Sequence, residues 1–241
     1  MMKSSSDPIA LGPQALVSLM RLSSPALPIG GFSYSQGLET AIDCGWVKAE
    51  ADVLEWLQAL LDANIGRFDA PLCLALCQAV AGGDIERAKA LHQRWLASRE
   101  TAELLAESLQ MGQSLLQMLA GLELDGWARD QVSALRSSTE PCALPFAWAL
   151  AARAFQLDPR AALAAWLWSW LENQVMAAIK AVPLGQQAGQ RLFSALQPGI
   201  AEVLERAPAL AADDDQWSNF APGFAIASAR HETQYSRLFR S

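Results

Sequence analysis

The sequence has little charge and almost no histidine. Charged residues make up 18% of its 241 positions, below the roughly 25% of ordinary soluble domains, while hydrophobic residues make up 52%. Part of that apolar surplus is expected to face partners. With two histidines only, His92 and His231, a Ser-His-Asp or Cys-His site would have to use one of them, and neither has a nucleophile motif beside it. Lysine is equally scarce. None of Lys3, Lys48, Lys89 and Lys180 follows a glycine, which excludes a Gly-Lys-Ser/Thr phosphate loop and leaves any nucleotide hydrolysis to another protein.

Long hydrophobic runs are missing as well. The most apolar stretch, Ala161 to Leu171 between Arg160 and Glu172, is well short of the ~20 residues that cross a bilayer, so no membrane span is expected. Residues 1–13 hold one lysine and no apolar run of signal-peptide length, and read as a flexible lead-in on a cytoplasmic protein. A net charge of −7 with basic residues interspersed among acids argues against nucleic acid, whose phosphates need a concentrated basic surface.

Cysteine is sparse in the sense that matters for disulfides. Cys44, Cys73, Cys77 and Cys142 lie in apolar, helical sequence, not in the dense framework of a small secreted domain, and read as reduced thiols. Cys73 and Cys77 share a helix face at i, i+4, a spacing two thiolate ligands could use, but no third or fourth ligand is evident and small core residues are the better reading.

What is present is helical periodicity. Val53, Leu54, Leu57, Leu60 and Leu61 keep to one face, as do Leu104, Leu105, Ser108, Met111, Leu115 and Leu119, and no alternating strand pattern appears. Asp52 with Glu55, Asp69 and Asp84 stand where side-chain oxygens cap helices; Gly82-Gly83 and Gly121 supply stops. Asp158-Pro159 predicts the start of a long helix running to about Val182, ended by Pro183. A further helix is expected from about Gly185 to Arg206, kinked or divided at Pro198, with Asp213-Asp214-Asp215 in a loop. The fold expected is all-α: one bundle of about ten helices over 14–229, followed by a tail over 230–241. Trp166, Trp168 and Trp170 step about 200° around their helix and cannot share one core, so one ring is left for an interface.

Three segments hold the chain's less ordinary sequence. The first is Leu27-Pro28-Ile29-Gly30-Gly31-Phe32-Ser33-Tyr34-Ser35-Gln36-Gly37-Leu38-Glu39. Its Gly31–Ser35 part lacks the last glycine and the preceding strand of a nucleophile elbow. It reads either as a turn before a helix starting near Ser33, with Phe32 and Leu38 in the core, or as a partner surface. The second is Val182-Pro183-Leu184-Gly185-Gln186 after Lys180, which alone could be a simple helix break. The third runs from Arg230 to Ser241, with three arginines and one glutamate around Tyr235, Leu238 and Phe239. It carries +2, leaving −9 on the rest of a chain whose total is −7. A basic, aromatic peptide on an acidic body suits docking, with apolar anchors in pockets and arginines making charge-assisted bonds around them.

In order and spacing the three segments resemble the urease accessory protein UreF family, as do Asp69-Ala70-Pro71-Leu72 and Arg99-Glu100-Thr101; the resemblance covers nearly the whole chain. It implies a helical, non-catalytic and usually homodimeric protein without a cofactor. Such a protein binds the UreD (also called UreH) accessory protein, recruits the nickel-carrying GTPase UreG, and helps deliver nickel to the urease apoprotein. The positions it puts forward for partner binding are Gly30, Phe32, Tyr34, Gly37 and Glu39 in the first segment, and Lys180, Gly185 and Gln186 around the second. In the tail they are Arg230, His231, Glu232, Tyr235, Ser236, Arg237, Leu238 and Phe239. Two rival roles remain open: a GTPase activator that inserts an arginine finger, and a weak nickel carrier using His231 and Glu232, paired across a dimer.

Overall fold

The computed structural model describes residues 11–241, and among them every regular element is helical. The helices are α1 Pro13–Leu22, α2 Leu38–Asp43, α3 Glu50–Leu60, α4 Ala70–Gly82, α5 Ile85–Ala97 and α6 Ala102–Ala120, then α7 Gly126–Ser137, α8 Leu144–Ala154, α9 Pro159–Ala181, α10 Gln186–Ala211 and α11 Pro222–His231. A π-helix, Leu61–Asp69, joins α3 to α4 without a break, so these form one rod and the described chain makes ten. The all-α expectation holds. Residues 1–10 of the expected lead-in lie outside the described residues, and Pro13 already opens α1.

Local chemistry explains most boundaries. The carboxylates of Asp84, Asp125 and Asp158 and the hydroxyl of Thr101 accept backbone N–H groups in the first turns of α5, α7, α9 and α6, satisfying donors that have no partner inside the helix. Pro159 follows Asp158 at the first helical position. Gly83, at φ +77°, closes α4 in the left-handed region, and Gly121 closes α6.

Other expectations are corrected. Asp52 is not the cap of α3: it sits in the first turn, where its carboxylate accepts N–H from Lys48 and Ala49 at 2.9 and 3.0 Å. Asp69 caps nothing, because the backbone is helical on both sides of it. No α-helix starts near Ser33; a single 3-10 turn, Gly31–Ser33, gives way to extended backbone, and α2 begins at Leu38. The cause is Gly37, at φ +77°, where a Cβ would meet Ser228 N at 3.1 Å and Ala227 Cβ at 3.3 Å, so α2 starts only after the chain has passed close against α11. Finally, α10 is not divided at Pro198 and does not stop at Arg206; it runs through both Pro198 and Pro208 to Ala211. Leu192, Leu196, Ile200, Val203 and Ala207 are buried along it against α4, α9 and the π-helix, and that burial outweighs the missing donors.

The core is built around α4, whose residues from Ala70 to Val80 are all buried except Gln78. Such a helix, apolar all round, has neighbours on every side; here they are α5, α8, α9, α10 and the π-helix. Cys73 and Cys77 lie inside it, and burial pushes the Cys73 thiol well up, the state of a core residue and not of a thiolate ligand. Trp166 packs edge-to-face with Trp95 and Trp148 at 6.0 and 5.4 Å. Trp166 and Trp170 are buried, whereas Trp168 turns outward, 39% exposed and stacked on Phe193.

Candidate partner-binding surface

The loop before α2, the middle of α6 and the tail after α11 meet in one place, and three carboxylates hold them together. Glu39, in the first turn of α2, accepts the N–H groups of Leu238 and Phe239 at 2.6 and 3.0 Å. Glu103 and Glu107 lie one turn apart on α6. Glu103 meets His231 Nδ1 and Arg237 Nη1, both at 2.6 Å. Glu107 accepts Gln36 Nε2 at 2.7 Å and Ser241 Oγ at 2.6 Å.

Backbone completes the seam. A main-chain oxygen of Ser241 accepts N–H from Ser35 and Gln36 and the Ser35 hydroxyl, while Arg240 N–H donates to the Ser33 carbonyl. Thr40 donates to Gln234. Gln36, in the left-handed region at φ 53°, accepts Trp170 Nε1 at 3.1 Å with its side-chain oxygen while its nitrogen serves Glu107. That strained backbone is held by partners on α6, α9 and the tail.

The tail is therefore ordered on its own body. Of its three apolar anchors Phe239 alone is buried, at 6% exposure, and it fills a pocket of this chain; Leu238 is 71% exposed and the Tyr235 ring is fully exposed. In the first segment Phe32 is 66% exposed, whereas Tyr34, Gly37 and Glu39 are interior. Tyr34 spans the seam instead, with its hydroxyl on Gln110. Gly30, at φ +75°, starts the 3-10 turn. Lys180 Nζ lies 5.9 Å from the Phe32 ring and 5.8 Å from that of Phe239. Together with Ser33, Leu238 and Arg240 these residues line a hollow of about 450 Å³.

The remaining positions divide. Gly185 and Gln186 open α10 on exposed backbone, and no tail hydrogen bond reaches them among the described residues. Arg230 lies over the Trp46 ring at 5.6 Å, Ser236 is exposed, and Arg237 donates to the carbonyls of Gln234 and Glu232 besides its ion pair. His231 and Glu232 do not form a ligand pair. The His231 ring is fully buried between Glu39 and Glu103, and Glu232 instead accepts the N–H of Ala102 at the start of α6. Among the described residues no group of three or more His, Cys, Asp or Glu side chains could hold a metal ion.

Deeper in the same region, Asp69 and Arg99 form a buried ion pair at 2.8 Å, with the guanidinium 3.9 Å from the centre of the Trp95 ring. This contact joins the two short motifs at 69–72 and 99–101. Gln36, Glu103, Glu107 and Ser241 were not singled out from sequence. The i, i+4 spacing of the two glutamates, directly after Arg99-Glu100-Thr101, was the available signal. Burial pushes the Glu107 carboxyl up to about 7, and burial brings His92, whose Nε2 accepts the Ala143 N–H at 2.9 Å, down to about 4.

Fold and site together define an all-helical protein whose distinctive residues build a surface, with loop, tail and one lysine around a hollow of mixed apolar and basic lining. The UreF family model matches residues 47–197. The urease accessory protein UreF of Azoarcus sp. (strain BH72) is 50% identical over 230 residues, covering 94% of this chain and 95% of its own length. The urease accessory protein UreF of Ectopseudomonas mendocina (strain ymp) is 54% identical over 226 residues, covering 93% and 98%; that of Nitrosococcus oceani is 52% identical over 228 residues, covering 94% and 99%. The chain belongs to the UreF family of urease accessory proteins.

Proposed function

We propose that this chain acts in urease maturation as a non-catalytic scaffold in the cytoplasm. It pairs with a second copy, binds the UreD (UreH) accessory protein, and brings the nickel-carrying GTPase UreG to the urease apoprotein. The observation that carries this reading is the hollow at Lys180. Phe32 and Leu238 stand out from its rim into solvent beside Lys180 and Arg240, and exposed apolar side chains clustered around cations are what a partner surface offers. A scaffold works by raising the local concentration of its partners and favouring one arrangement of them, without touching the chemistry.

The test is co-purification of the full chain with the other accessory proteins, followed by urease activation in a nickel-supplied extract. The wild type should form the complex and raise activity; Lys180→Ala and Leu238→Ala should weaken both while leaving the thermal melt unchanged. Light scattering on the isolated chain should return a dimer, and a monomer at micromolar concentration would remove the pairing from the proposal.

A second reading, the arginine finger, is favoured by Arg230 and Arg240, which make no ion pair among the described residues. Partner GTP turnover separates the two readings. A finger residue changed to alanine should lower turnover by orders of magnitude while assembly persists, whereas a scaffold residue changes both together.

A further inference from the structure

The tail closes over a carboxyl whose direct hydrogen-bond partners carry no charge. Glu107 is 4% exposed, and its two oxygens are taken by the side-chain amide of Gln36 and the hydroxyl of Ser241, which are neutral donors. A buried carboxylate without a counter-charge is costly, and the usual relief is to hold a proton. The tail makes one wall of its surroundings: Ser241 is 1% exposed and Phe239 6%, and both come to rest there through backbone bonds to Ser33, Ser35, Gln36 and Glu39. Lifting the tail removes that wall and opens Glu107 to water.

We propose that the segment 232–241 is a latch that closes over Glu107 with uptake of one proton from solvent, so that ionisation of this carboxyl drives the latch open. In the closed form the 2.6 Å contact between Glu107 Oε2 and Ser241 Oγ serves either state: the carboxylic acid donates to the hydroxyl, and once the proton has left to water the hydroxyl donates to the carboxylate.

The charges around Glu107 are otherwise committed. On α6 itself, Glu103 is held by His231 and Arg237. From α2, Glu39 is engaged with the tail backbone and His231. From the loop after α5, Arg99 lowers the tendency to hold a proton, but it is paired with Asp69 of the π-helix, which raises it. From the tail, Arg240 reaches Gln110 at 3.4 Å, the same side chain that receives the Tyr34 hydroxyl. With desolvation the largest influence, the closed-state value of about 7 stands above the ordinary 4.5.

The direction follows from that order. A carboxyl whose closed-state value is raised favours the closed form fully below about 4.5, and the advantage is lost as pH rises to about 7. The latch thus loosens towards neutral and alkaline pH, which exposes the backbone of the segment that carries Leu238 beside the hollow.

Hydrogen exchange at the amides of Leu238, Phe239 and Arg240 in the full chain, corrected for intrinsic exchange, reads the opening directly. In the wild type the opening constant should rise by roughly a hundredfold between pH 4.5 and 7 and level off above. Glu107→Gln keeps the shape without the charge and should remove that rise. Identical profiles for wild type and Glu107→Gln would overturn the proposal. If the glutamine variant does not fold, a carboxyl carbon titration of Glu107 by NMR in the wild-type chain decides: a midpoint near 7 supports the latch, and one near 4.5 rejects it.

Discussion

The carboxylate of Glu39, on α2, accepts the backbone N–H of Phe239 at 3.0 Å, from a residue 200 positions further along the chain. The same side chain takes the Leu238 N–H and approaches His231 Nε2 at 3.4 Å. A carboxylate has capacity for several donors at once, and here that capacity is spent on the tail. The first segment and the tail are thereby held as one unit.

Glu39→Ala should therefore be a stability variant. It removes the acceptor from two backbone donors and from a buried ring, at about 1–3 kcal/mol for each group left unsatisfied. We expect a lower melting temperature, with fast exchange at amides 238 and 239, while Glu39→Gln recovers part of the loss. An unchanged melt beside altered urease activation would return Glu39 to the role of a surface contact.

The buried pair of Asp69 and Arg99 has 8% and 7% side-chain exposure. Removing one partner strands the other charge, at about 3–5 kcal/mol. Arg99→Ala should accordingly cost roughly 10 °C in melting temperature for a chain of this size. The double change Asp69→Leu with Arg99→Met should lie much closer to wild type, as measured by differential scanning calorimetry. A double variant as unstable as the single one would show that Arg99 acts mainly through its stacking on Trp95.

Much of the fold was legible. Period 3.6 patterns marked the helices, Asp84 and Asp158-Pro159 marked starts, and the spacing of Trp166, Trp168 and Trp170 required one ring to leave the core, which Trp168 does. What was not legible depends on neighbours. Asp69 has the composition of a cap, and only the π-helix carries it to Arg99. Pro198 has the composition of a break, and only the burial of Leu196 and Ile200 carries the helix past it. The site was half legible: its segments stood out, but composition does not say whose pocket an aromatic fills. Tyr235, Leu238 and Phe239 are comparably apolar, and they end fully exposed, mostly exposed and buried in this chain respectively.

His92 supplies a pH dependence of its own. Its ring is buried against Phe146, and burial brings it down to about 4 from the ordinary 6.5. The folded chain therefore takes up this proton less readily than the unfolded one. The corresponding stability, on the order of 3 kcal/mol, is full above pH 6.5 and is lost as pH falls towards 4. Ring-carbon NMR should find His92 neutral at pH 5.5, with Nε2 as the acceptor; a ring charged at that pH would contradict the Ala143 contact.

The tail should separate into residues that hold it and residues that meet partners. Phe239 is buried and its backbone is pinned, so Phe239→Ala should lower stability by about 3 kcal/mol, as deletion of a core aromatic does. Removing residues 230–241 should lower it further, since Glu103 loses His231 and Arg237 and Glu107 loses Ser241. Tyr235 and Leu238 point into solvent, and each offers roughly 1.5–3 kcal/mol to a surface that covers it. Tyr235→Ala and Leu238→Ala should leave the melt within about 0.5 kcal/mol of wild type and weaken capture of the UreD-like partner by tenfold or more. A pull-down beside a thermal melt on the same four proteins makes the comparison. If Phe239→Ala binds normally and melts normally while Leu238→Ala melts early, the division between holding and meeting is the reverse of the one drawn from exposure.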